Sequence, residues 1–133
     1  MTTPNDNKAG FVGKMTLSKT GDPNRILLPQ VHRHQFLEDR GGYLSGTGSG
    51  STLYLGYAKA AEPETESTYE YPGDFGGGRM TWTFVQSGNE EIVAKSGSIT
   101  IKYDRYLNCS GTFHFFDDRQ VKYDGAFDMT WSS

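Results

Sequence analysis

A chain of 133 residues with thirteen basic and sixteen acidic side chains, a formal net charge of -3 and a pI near 5.5 lacks the concentrated positive surface that phosphate backbones require, which excludes nucleic acid as a partner. The length suits one domain with its own core, and no apolar stretch is long enough to cross a bilayer, so no membrane partner is expected. Cys109 is the single cysteine, which leaves no intrachain disulfide. The opening residues 1–7 carry neither the basic nor the apolar segment of a secretory signal, and the expected setting is the cytoplasm of a bacterium.

Residues 1–8 are polar and read as a flexible tail ahead of a single β domain over 9–133. From Phe11 onward, Phe11, Gly13, Met15 and Leu17 alternate with Val12, Lys14 and Thr16, which predicts a strand with one apolar face. Turn residues from Thr20 to Asn24 end it. Near residues 29–39 two readings stand: Pro29 opens a short helix that Gly41 and Gly42 close, or the segment is extended. The run from Gly46 to Ser51 lies between two short apolar blocks and predicts a hairpin end; it lacks the Gly-Lys-Ser/Thr ending of a phosphate loop.

Residues 60–78 form the clearest break in composition, with Glu62, Glu64, Glu66, Glu70 and Asp74 among Pro63, Pro72 and three consecutive glycines, and predict a long exposed acidic loop. Glutamates at alternate positions lack the Asp/Asn-rich, glycine-turned order of a calcium loop. Tyr69 and Tyr71 stand out there, because a disordered tether has little use for large aromatics.

The last third alternates most regularly. Met80, Trp82 and Phe84 share a strand face, as do Ile99, Ile101 and Tyr103, then Phe113 and Phe115, then Val121, Tyr123, Gly125, Phe127, Met129 and Trp131. The opposite face is polar, as in a sheet with one wet side. Gly97, Gly111 and Gly125 recur fourteen residues apart within Gly-Ser-Ile-Thr-Ile, Ser-Gly-Thr-Phe-His-Phe and Asp-Gly-Ala-Phe-Asp-Met, which fits successive antiparallel strands with turns at 105–108 and 117–120. These pieces resemble the C-terminal hairpins of small uncharacterised bacterial β-proteins, and that resemblance implies fold alone. The predicted architecture is all-β, an antiparallel β-sandwich or closed β-barrel of about eight strands.

One constellation points to metal chemistry. His32-Arg33-His34-Gln35-Phe36-Leu37-Glu38 has the His-x-His-x-x-x-Glu spacing of the first cupin metal motif, and His114 follows Gly111 as the second motif's histidine follows its glycine. Resemblance to a cupin implies a divalent metal held by His32, His34, Glu38 and His114 in a metal-dependent enzyme. The sequence departs from the motif at Ile26, where the first motif has glycine, and at Cys109, where the second has proline. In a straight strand His34 and Glu38 lie roughly 13 Å apart, so joint ligation requires a bend or a helix.

Other chemistry is weaker. Cys109 sits in no nucleophile motif, no Gly-x-Ser-x-Gly elbow occurs, and the aspartates of the ending fall on polar faces or turns. Eighteen aromatic residues exceed what one small core needs, which places Tyr54, Tyr69, Tyr71, Tyr106 and Phe116 on loops or on the face opposite the main apolar one. The preferred reading is a non-catalytic binding or interaction module without a cofactor. It contacts a carbohydrate, a small apolar ligand or a protein partner through Tyr54, Tyr69, Tyr71 and Arg79, and the same aromatic face as a homo-oligomer contact is the third reading.

Overall fold

The computed structural model describes residues 10–35, 42–48, 50–57, 64–74, 81–104 and 108–132. Among these residues are eleven strands rather than about eight: β1 (Gly10–Lys19), β2 (Ile26–Leu28), β3 (Gln30–Gln35), β4 (Gly42–Gly48), β5 (Ser51–Tyr57), β6 (Glu66–Tyr71), β7 (Thr83–Gln86), β8 (Ile92–Val93), β9 (Ser96–Tyr103), β10 (Cys109–Phe116) and β11 (Lys122–Ser132). Two antiparallel sheets result, one ordered β2-β1-β11-β10-β9-β6 and the other β3-β4-β5-β7-β8, and no closed barrel is found among the described residues.

Period-two alternation builds the single core. Met15, Leu17, Ile99, Ile101, Phe113, Phe115, Phe127 and Met129 from one sheet and Leu44, Leu53, Leu55 and Phe84 from the other are all buried. Trp82 has no exposed surface; its indole N–H donates to the Gly56 carbonyl at 2.9 Å, and the Tyr71 ring stacks on it at 4.6 Å.

The fourteen-residue repeat acquires a physical meaning in the register. Phe127 lies opposite Gly111, Phe113 opposite Gly125 and Phe115 opposite Gly97. A Cβ on Gly111 would stand 2.8 Å from Phe127 Cζ, one on Gly125 2.7 Å from Phe113 Cζ, and one on Gly97 2.7 Å from Trp82 Cζ3. Each glycine is the space an aromatic ring occupies.

The chain changes sheets four times, before β3, β6, β7 and β9, and the first and last changes are tight corners. After β2 ladders with β1, Pro29 has no N–H to continue the ladder, and β3 pairs with β4 in the other sheet. At the second corner consecutive amides bond to different sheets: Ala94 N–H donates to Trp82 O at 3.0 Å and Lys95 N–H to Phe116 O at 2.8 Å.

Of the two readings near 29–39 the extended one holds at 30–35, where Val31 alternates with outward-facing His32 in a ladder with β4; no helix occurs among the described residues, and 36–39 lie outside them. Two other expectations are corrected. The acidic stretch at 60–78 is not loop throughout: β6 pairs with β9, with Ser67, Tyr69 and Tyr71 turned inward and Glu66, Thr68 and Glu70 outward. The hairpin at 46–51 is shorter than read, since Gly46 and Gly48 belong to β4. The 117–120 turn is as expected, with Asp117 Oδ1 accepting from Arg119 N–H at 2.9 Å and Val121 N–H at 3.0 Å. The tail expected over 1–8 lies outside the described residues.

Gly125→Ala is expected to lower stability by about 2 to 3 kcal/mol, since neither the Thr16 carbonyl nor the Phe113 ring can withdraw freely. Gly73→Ala, where an added Cβ meets nothing within 4 Å, should stay near neutral in the same denaturant titration.

Candidate functional site

The sequence-predicted residues separate into three groups. Tyr54 lies on the outer face of the five-stranded sheet and is exposed. Tyr69 and Tyr71 face the core from β6: Tyr69 is half-buried against it, and Tyr71 is only 6% exposed, with its hydroxyl accepting from Trp82 N–H at 3.4 Å. Tyr71 is therefore a core residue rather than a surface contact, because the alternation of β6 turns it inward. Arg79, Glu38 and Tyr106 lie outside the described residues.

The histidines of the cupin-like motif divide between the sheets. His32 and His34 project outward from β3, two residues apart, whereas His114 projects from the outer face of the six-stranded sheet, between inward-facing Phe113 and Phe115. The extended β3 backbone and the intervening core keep His114 from joining the other two. The metal constellation is thus not assembled from His32, His34 and His114. Among the described residues no group of three or more His, Cys, Asp or Glu is placed to hold a metal ion.

What the fold does bring together is an aromatic row. His34 pairs with Tyr43 in register, and His32, Ser45, Tyr54, Thr83 and Val93 form one line across all five strands. The Tyr43 ring lies 5.4 Å from the His34 ring, 6.1 Å from His32 and 6.1 Å edge-on from Tyr54. At about 4.8 Å per strand the line is about 19 Å long. Tyr54 and Val93, at its middle and end, are two of the large apolar side chains left exposed. Sequence reasoning missed Tyr43, although the alternation Tyr43, Ser45, Thr47 on the polar side of a glycine-rich segment carried the signal.

The edge strand bearing the two histidines is anchored from inside by the residue between them. Arg33 turns inward, its Nε–H donates to Tyr57 Oη at 3.3 Å, and the Tyr57 hydroxyl donates to the His34 carbonyl at 3.3 Å. The guanidinium carbon lies 4.2 Å from the centre of the Tyr103 ring, a cation–π contact inside the protein. Tyr57 and Tyr103 meet edge-on at 6.1 Å, and Tyr103 Oη is buried with no hydrogen-bond partner among the described residues. Burial pushes Tyr103 far above the ordinary phenol range and Tyr57 upward as well, with Arg33 opposing in both cases. Cys109, opposite Tyr103 in the ladder, is pushed up to about 11 by burial.

No helix among the described residues is long and apolar enough to cross a membrane, a statement that leaves strand-built membrane proteins aside. Compared with protein-family models, curated proteins and solved structures, the chain matches none.

Two outcomes follow from the internal cluster. Tyr103→Phe removes a buried hydroxyl that has no partner among the described residues and should raise stability by about 1 kcal/mol, whereas Tyr57→Phe breaks bonds to Arg33 and His34 and should lower it by a similar amount, both read by urea unfolding. The raised values of Cys109, Tyr57 and Tyr103 mean that the folded state keeps protons which the unfolded chain releases from about pH 9 upward. Their contribution is whole below that pH and declines above it, for Cys109 through about pH 11, so native protein at pH 8.5 should resist iodoacetamide until denaturant is added.

Proposed function

We propose that this chain is a non-catalytic binding module that takes a carbohydrate on the outer face of its five-stranded sheet. The observation that carries the reading is the cross-strand row in which Tyr43 stands between two imidazoles and the exposed Tyr54 ring. Aromatic faces stack on the C–H surfaces of a sugar ring, and imidazoles, Ser45 and Thr83 offer hydrogen bonds to its hydroxyls. Those groups lie on laddered strands, so little order need be gained when a ligand arrives. The architecture that serves this role is read as a β-sandwich, with each outer sheet face open to a different kind of ligand.

Tyr54 is the contact carried over from the sequence; Tyr43, His32 and His34 complete the face, and Tyr69 and Tyr71 support it only through the core. A small apolar ligand is less well matched, since the row mixes rings with hydroxyls and imidazoles. A protein partner or a second copy of the chain is the competing occupant of the same face.

Titration of isotope-labelled protein with a panel of neutral oligosaccharides should give saturable shifts at residues 43–45 and 52–54. Tyr54→Ala and Tyr43→Ala should each weaken binding about tenfold or more while the melting temperature of Tyr54→Ala stays unchanged. Absence of any sugar response, together with a change of oligomeric state in Tyr54→Ala, would assign the face to a protein contact instead.

A further inference from the structure

The opposite surface carries a different chemistry. A cavity of about 460 Å³ opens on the outer face of the six-stranded sheet, its wall formed by the polar side chains that alternate with the core residues of β1, β9, β10 and β11. Ser18, Asp124, His114 and Ser98 stand opposite one another on four consecutive strands, a line of about 14 Å at 4.8 Å per strand. Arg25, immediately before β2, extends the line beyond Ser18, since Ile26 pairs with Leu17. Lys122 lies two residues before Asp124 on the same face of β11, so Arg25 and Lys122 flank Ser18 from two sides.

The cavity is asymmetric. Arg25 before β2 and Lys122 on β11 place permanent cations on either side of the Ser18 hydroxyl; Asp124, also on β11, lies in the middle, and beyond it the His114 imidazole and the hydroxyls of Ser98, Thr100 and Thr112 on β9 and β10 offer both donors and acceptors. Asp124 is the one carboxylate among the described lining residues, in a chain whose overall charge is -3, so the excess of positive charge there runs against the molecule's average. Ala126 lies in the row beside Asp124, opposite Thr16 and Thr112, and leaves the middle of the wall low. The His114 ring is braced edge-on against Phe116 at 5.9 Å, which limits its freedom before any ligand arrives.

We infer that this cavity binds a small phosphorylated polyol, with the phosphate over Ser18 between Arg25 and Lys122 and the hydroxylated body lying across Asp124, His114 and Ser98. A phosphate alone satisfies only the cationic end, and a neutral sugar only the other. Ser18 and His114 lie two strands apart, about 10 Å at 4.8 Å per strand, which is the span of a short ligand that carries both chemistries. No bond is made or broken in this assignment. It is independent of the aromatic row, which lies on the other sheet.

The test is titration of labelled protein with glucose 6-phosphate, inorganic phosphate and glucose at constant ionic strength. Saturable shifts are expected at Ser18, Ser98 and Asp124, with glucose 6-phosphate binding more tightly than either component. Arg25→Gln and Lys122→Gln should each weaken glucose 6-phosphate about fivefold to tenfold, as loss of a charge-assisted hydrogen bond at a solvated site predicts. Asp124→Asn should tighten inorganic phosphate, because it removes the nearby negative charge. Arg25, Lys122 and Asp124 are all exposed, so the variants should retain the parent's melting temperature. Three outcomes would overturn the assignment: no saturable shift with either phosphate probe, binding that both glutamine variants leave unchanged, or binding that Tyr54→Ala abolishes.

Discussion

The rest of the structure depends on the opposition of aromatic rings to glycines across the ladder of β9, β10 and β11. A ring that crosses to the neighbouring strand fits only where that strand has no Cβ, and Phe127 over Gly111 and Phe113 over Gly125 meet the condition reciprocally on the same two strands. A slip of one residue would drive each ring into a side chain and turn the core face outward at the same time. Register is therefore fixed by sterics as well as by hydrophobicity. The rows on the outer face inherit that register: Asp124, His114 and Ser98 align because the aromatic pairs beneath them allow no other alignment.

The second sheet is held to the first by different means. Its edge strand β3 continues from β2 through Pro29, and Arg33 secures it by reaching into the core, where a guanidinium is tolerated because Tyr57 accepts its hydrogen bond and the Tyr103 ring lies beneath it. Inward Arg33 and outward His32 and His34 are thus parts of one arrangement, in which the buried residue sets the position of the exposed ones. The two outer faces then differ in kind, one carrying rings and imidazoles and the other hydroxyls and fixed charges.

Much of the fold was legible where one face of a strand is apolar and the other polar. The strands from Phe11 and through the last third, the 117–120 turn and the buried state of Trp82, Phe84, Phe113 and Phe127 follow from period-two alternation alone. The signal failed where composition hid the period. In β6 the outward glutamates suggested a solvated loop, and the inward Ser67, Tyr69 and Tyr71 were too few to correct it; in β3 a proline and a glycine pair imitated helix boundaries. The candidate site was less legible for a geometric reason. His32 and His34 are near Tyr43 and Tyr54 only after three strands are laid side by side, and a spacing rule that reads along the chain connected them with His114, which the fold places on the other sheet.

The residues that concealed β6 have a further consequence for assembly. Among the described residues β6 has one ladder partner, β9, and so it ends the six-stranded sheet, with the N–H and C=O of Glu70 already bonded to Asp74. If a second molecule lay antiparallel against this edge and centred on Thr68, Glu66 of each would face Glu70 of the other. Four carboxylates would then meet along one short seam. The acidity that makes the stretch look like a solvated loop thus gives this edge of the sheet an electrostatic selvedge, which opposes pairing of folded molecules through β6.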